Sequence, residues 1–161
     1  MSGYTEPVPV CGTGPDDTVG LLTLLRTLTI ETNMRTHGPI GQGRKDNFKF
    51  PPMGSKIIGF HGYSGLWLDG IGAYYEPIPD PSNVVSAGPI GGNGEDSWDD
   101  GPHTAVRHLI IYSSSVIESI QIEYDDKGRS KLAEMHGRQG PQGGIKNTVS
   151  PNFYLFIHLF W

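Results

Sequence analysis

Glycine and proline occupy 23 and 13 of the 161 positions, more than one residue in five, and no other property narrows the fold as far. Glycine weakens helix interiors and proline breaks them, so a chain punctuated this often has little room for long helices. It forms many short strands joined by turns, or it does not fold. A hydrophobic share of 36% with 10% aromatics favours the folded outcome. The length suits one domain with a real core and is too short for two complete ones.

The apolar pattern points the same way. In "LLRTLTIE", Leu24, Arg26, Leu28 and Ile30 fall on one side and Leu25, Thr27, Thr29 and Glu31 on the other, a period of two with β-branched residues that predicts a strand. After the turn-rich "NMRTHGPIGQGRKD" come three more strand candidates, "NFKF", "KIIGF" and "LWLDGIGAYY". Later, "AVRHLIIYS" precedes a predicted hairpin in which Ile120, Ile122 and Tyr124 alternate with Gln121, Glu123 and Asp125 up to a DDKG turn. "GPIGGNGEDSWDDGPH" reads as a loop or an irregular edge strand. A weak internal repeat pairs "HGPIGQG" at 37–43 with "AGPIGGNG" at 87–94.

Residues 1–21 are rich in Pro, Gly, Thr and Asp without a period and read as a disordered lead-in. Residues 76–87, "EPIPDPSNVVSA", place three prolines within six positions; an extended linker follows, with 79–87 as its core. Beyond residue 144 the pattern stops. The aromatic tail over 145–161 lacks alternation and is too short to cross a bilayer; it could serve as an edge strand, as a partner-binding peptide, or stem from an unusual splice or reading frame.

A net charge of −5 and a pI near 5.6 give no basic footprint, which argues against nucleic acid and anionic membranes as partners. The single cysteine, Cys11, excludes a disulfide framework and cysteine-cluster metal sites. Glu6, Asp16 and Asp17 stand where a secretory signal would be basic, so a cytoplasmic or nucleocytoplasmic location is expected.

No catalytic or metal constellation emerges. The histidines at 37, 61, 103, 108, 136 and 158 share no ligand spacing with one another or with carboxylates. The adjacent acids Glu95–Asp96, Asp99–Asp100 and Asp125–Asp126 read as solvated turn residues, since sequence neighbours do not face each other across a substrate. "GPIGGNG" lacks the Lys-Ser/Thr and the helix that a phosphate loop needs. Neither metal nor cofactor is therefore expected. What remains is Asp69 amid the apolar "SGLWLDGIGAYY", and the glycine-rich stretch running to Asp96. A carboxylate that accepts from vicinal hydroxyls beside backbone N–H donors describes a monosaccharide site.

These residues also resemble a known family. "GPIGGNGEDSWDDG" is similar to the N-terminal loop of jacalin-related lectins of the mannose-binding type, and "SSSVIESIQIEYDDKG" to their early hairpin. "LLRTLTIETNMRTHGPIGQG" and "KIIGFHGYSGLWLDGIGAYY" resemble the family's C-terminal end. The order is inverted: residues 22–78 resemble the later portion of one domain, and 88–144 the earlier portion of a second. The resemblance implies an all-β fold, a β-prism of three Greek-key sheets, here incomplete or circularly permuted, in which strands before and after the linker complete one sheet while the other two lack strands. Open edges of that kind would favour a homo-oligomer.

The resemblance further implies a sugar site made of Gly65, Leu66, Trp67 and Asp69, with backbone donation from Leu66 and Trp67, completed by Gly94 and Glu95. Glu95 stands where the family commonly has glycine, and would be penalised if that position required φ > 0. The implied function is non-catalytic binding of mannose/glucose-type oligosaccharides or glycoproteins. The alternative is a truncated lectin-like fragment without sugar binding, at most a structural or protein-interaction module. Glycan hydrolysis would need a second carboxylate near Asp69, for which Glu95 is the one candidate.

Overall fold

The computed structural model describes residues 24–42, 47–50, 55–77, 83–138, 144–151 and 155–160, the segments 47–50 and 155–160 as backbone only. Twelve strands and no helix are found among them: β1 (Thr27–Thr32), β2 (Thr36–Gly41), β3 (Asn47–Phe50), β4 (Ser55–Ser64), β5 (Leu68–Pro77), β6 (Val85–Gly91), β7 (Asp96–Asp99), β8 (Ala105–Ser113), β9 (Ile117–Asp126), β10 (Arg129–Gly137), β11 (Ile145–Val149) and β12 (Leu155–Phe160).

They form three four-stranded antiparallel sheets, ordered β2-β1-β12-β3, β6-β5-β4-β7 and β10-β9-β8-β11. In the last two, a three-strand meander is followed by a fourth strand that returns beside the first, which is a Greek key. The first sheet has the same order once β12 is counted ahead of β1; here the two strands pair antiparallel from Thr27↔Phe160 to Thr32↔Leu155 without a direct connection. The sheets enclose one core, to which all three contribute: Leu28, Ile30 and Ile40; Phe60, Leu68 and Ile71; Leu109, Ile111, Ile120 and Tyr124. This is the expected all-β prism.

Two expectations need correction. No sheet is short of strands: β11 completes the third sheet and β3 and β12 the first. The tail supplies β11 and β12, and β12 lies between β1 and β3, pairing antiparallel with both. Linker residues 85–87 belong to β6, and the "GPIGGNGEDSWDD" stretch forms both edge strands of the second sheet, β6 and β7. The turn-rich "THGPIG" is likewise an edge strand, β2. Pro39 and Pro89 are tolerated there because an edge strand need not donate on its outer side. The disordered lead-in of 1–21 and Cys11 lie outside the described residues, as does the middle of the proline-rich linker, 78–82.

Strands β4 and β5 precede the linker; β6 and β7 follow it. They share one sheet, with Gly70↔Gly91 and Ile71↔Ile90 paired on one side and Gly62↔Trp98 and Ser64↔Asp96 on the other. That register brings the 92–95 loop over the β4–β5 turn.

Candidate functional site

Residues 65–67 turn the chain from β4 into β5, and the Gly65 N–H donates to the Trp67 carbonyl at 3.0 Å. Leu68, fully buried, pins the start of β5 in the core, and Asp69 follows at the sheet's end, 6% exposed. The other loop arrives through glycines. Gly91 has φ +119°, and a Cβ there would lie 2.3 Å from the Asp69 carbonyl oxygen; only glycine meets both conditions. The Gly92 N–H then donates to that carbonyl at 2.8 Å.

Gly94 lies directly against the carboxylate, since a Cβ at this position would fall 2.0 Å from Asp69 Oδ2. Glu95 runs beside the turn: its Cβ and Cγ are each 3.7 Å from where a Gly65 Cβ would stand. The penalty expected at Glu95 does not arise, because Lys127 is the sole non-glycine with positive φ among the described residues. An ordinary backbone accommodates Glu95, and its side chain points to solvent.

Burial pushes the Asp69 carboxyl above its ordinary pKa; the Glu95 charge pushes the same way, and the Gly65 N–H works against both. The carboxylate therefore sits in a site that on balance disfavours its charge, at the mouth of the sheet, with the Gly65 N–H as a donor to it. Such a group gains from incoming hydroxyl donors.

Gly65, Asp69, Gly94 and Glu95 thus converge at one mouth. Leu66 forms the turn's tip, 64% exposed. Trp67 is half-buried beneath the guanidinium of Arg138, 5.2 Å from its ring centroid, which ties the loop to the neighbouring sheet. Sequence reasoning missed Arg138: it is 71 positions away, in no motif, and only the prism's closure brings it near.

Four of the histidines have structural partners among the described residues. His136 and His103 contact Asp100, His61 contacts Ser86, and His108 contacts Glu123. No group of three or more His, Cys, Asp or Glu among the described residues is placed to hold a metal.

A three-sheet all-β prism is the architecture of the β-prism lectins. The jacalin-like lectin domain matches residues 9–74 and 87–155, and the chain belongs to this family. It is 37% identical over 130 residues to a mannose/glucose-specific lectin of Parkia platycephala, covering 81% of the chain and 28% of that protein. It is 36% identical over 151 residues to an agglutinin of Castanea crenata, covering 86% and 49%. Over 62 residues it is 48% identical to jacalin-related lectin 3 of Arabidopsis thaliana, covering 38% and 10%. The chain thus spans half or less of the length of these relatives. No solved structure gives a significant match.

Proposed function

We propose that the chain is a non-catalytic lectin that binds mannose/glucose-type glycans at the Asp69 mouth. Asp69 accepts two vicinal sugar hydroxyls, while the N–H groups of Leu66, Trp67 and the 94–95 loop donate to ring and hydroxyl oxygens. One observation carries this reading: Gly94 from beyond the linker packs on the carboxylate of Asp69 from before it, so the two half-sites meet. We read 22–78 and 88–144 as later and earlier portions of the family domain joined in inverted order, in keeping with the two separate matched segments. The relatives named as mannose/glucose-specific support the choice of sugar, and an internal 94–95 loop, with no free amino terminus, fits it.

Two or three hydrogen bonds of about 1.5–3 kcal/mol each, less the cost of association, give about millimolar affinity for a monosaccharide. Useful avidity then requires several sites. Retention on mannose-agarose, lost in Asp69→Asn, is the expected result. A folded wild-type chain that passes through the column unretarded at any ligand density would overturn the reading in favour of a sugar-inert module.

A further inference from the structure

Arg138 is a cation that the fold holds in place and leaves without a counter-ion. Arg107 shows the ordinary arrangement: its guanidinium is spent on the Asp125 carboxylate and the Gly128 carbonyl. The Arg138 side chain is half-buried against the Trp67 ring, yet it enters no hydrogen bond or ion pair with any described residue. In a chain of net charge −5, with carboxylates outnumbering cations, a fixed arginine without an acid beside it is a feature to be explained.

The backbone sets its position from two sides. Gly137, at φ +97°, closes β10 where a Cβ would lie 2.4 Å from the Glu118 carbonyl oxygen and 3.2 Å from the Leu68 nitrogen. The Arg138 N–H then donates to that Glu118 carbonyl at 3.0 Å. The end of β10 is thus pressed against the first residue of β5, and the guanidinium that follows rests on the ring one position earlier, 5.2 Å from its centroid. Trp67 precedes Asp69 by two residues, a span of at most about 7 Å. Arg138 therefore stands at the rim of the Asp69 mouth, within reach of the residue next to a ring seated there.

A guanidinium carried on an aromatic ring by one face keeps its N–H edge open in a fixed plane. That edge matches the paired oxygens of a carboxylate or a sulfate, which accept two parallel hydrogen bonds from it. Asp69 and the exposed Glu95 otherwise make the mouth acidic and would repel an anionic ligand. The unpaired cation reverses that on the Trp67 side alone, so an acidic group is admitted in one orientation. We propose that Arg138, braced on Trp67, is an oxyanion subsite at the rim of the Asp69 mouth, and that the preferred ligand is a glycan whose mannose or glucose ring has a uronic acid carboxylate or a sulfate ester beside it. The inference rests on the sugar reading of Asp69 for the ring and on the Arg138–Trp67 geometry for the charge. Arg26 supplies the comparison: it is also exposed at this end of the prism, next to Leu25, whose N–H donates to the Leu68 carbonyl at 3.3 Å, but no ring holds it among the described residues.

The test is a chemical-shift titration of the ¹⁵N-labelled full chain with two matched pairs of probes. One pair is the methyl glycoside of glucuronosyl-β-(1→2)-mannose and its neutral glucosyl counterpart; the other is methyl α-D-mannoside 2-O-sulfate and methyl α-D-mannoside itself. Wild type should bind an anionic probe about three- to tenfold more tightly than its neutral partner at low salt, and the ratio should shrink towards one as salt is added. In Arg138→Gln the ratio should fall to about one, and Arg138→Lys, which keeps the charge without the planar fork, should retain part of it. Any loosening of the Trp67 turn weakens both members of a pair and cancels in the ratio. Arg26→Gln should leave the ratio as in wild type. Preference for one anion alone upholds the subsite and identifies its ligand as the uronate or the sulfate. A wild-type ratio of about one for both pairs, or an equal fall in Arg26→Gln and Arg138→Gln, overturns the subsite and leaves the proposed function standing. Binding of the anionic probes alone, surviving in Asp69→Asn, would uphold Arg138 and refute the reading of Asp69; a dispersed, folded spectrum that no probe moves refutes both.

Discussion

Asp69 and Asp100 are both withdrawn from solvent near the ends of the second sheet, and the chain treats them in opposite ways. Asp100 is saturated: Tyr124 donates its hydroxyl to Oδ2 at 2.8 Å, and His136 donates from Nε2 to Oδ1 at 2.8 Å. Aromatic rings close over the cluster. Trp98 stacks on His136 at 3.8 Å between centroids, and His103 on Tyr124 at 4.1 Å. Asp69 has glycines around it instead, and among the described residues the Gly65 N–H donates to its carboxylate. A carboxylate that spends its acceptor capacity inside the protein holds strands together, here β9 and β10 to the end of β7. One that does not is poised for a ligand.

Removing the saturated carboxylate should have the largest effect. In Asp100→Ala, the Tyr124 hydroxyl and the His136 ring lose their partner in a site where the His136 and Asp100 side chains are 10% and 9% exposed. A loss of about 3–5 kcal/mol in unfolding free energy is expected, measured by urea denaturation. A change within experimental error would mean the cluster is a bystander. Asp69→Asn should behave in the opposite sense. The folded-state pKa of Asp69 is raised above its unfolded value, so its ionised form disfavours the fold once pH exceeds the folded pKa, and this cost disappears as pH falls through it. The variant should therefore be as stable as wild type or more so at pH 7, with the difference closing in acid. A destabilised Asp69→Asn would show that the residue is structural after all.

Tyr124→Phe is a milder break. The hydroxyl is lost and the ring remains, leaving Asp100 with His136 on one oxygen and nothing on the other. A cost of about 1–3 kcal/mol is expected from an unsatisfied buried acceptor, again by urea denaturation, with glycan retention unaffected because Tyr124 lies away from the mouth. If retention fell along with stability, the cluster and the mouth would not be independent.

The contrast also marks where the sequence is legible. Alternation in "SIQIEY", the DDKG turn and the glycine-flanked Asp69 are local patterns, and each stands where its pattern places it. Asp99 and Asp100 looked alike as neighbouring acids, but Asp99 receives the Tyr74 hydroxyl at 2.7 Å and the Gly101 N–H at 2.8 Å on the outer face, while Asp100 turns inward. What decides between them is a histidine 36 positions on and a tyrosine 24 on, which no local pattern encodes. The tail was opaque for a related reason, since a strand whose two neighbours come from the start of the chain carries no mark of its pairing. The repeated Gly-Pro-Ile-Gly, which could have been chance, is a structural repeat: Gly41 and Gly91 occupy matching positions against Arg26 and Asp69.

The smallest expected effect isolates Glu95. Its charge is the second cause of the raised Asp69 pKa, after burial, and the proposed sugar binding needs the ionised acceptor. Wild-type affinity should therefore fall, on acidification, at a higher pH than for an ordinary aspartate. In Glu95→Gln the like charge is gone while the burial remains, so the midpoint of that loss should move to lower pH without reaching the value of an exposed carboxyl. Well above both midpoints the two proteins should bind alike, because there Asp69 is ionised in either form. The pH dependence of methyl α-D-mannoside affinity in the two proteins measures the difference. Because Glu95 is exposed, added salt should shrink that difference by screening. An unmoved midpoint would remove Glu95 from the electrostatics of the mouth, leaving only its backbone as part of the site.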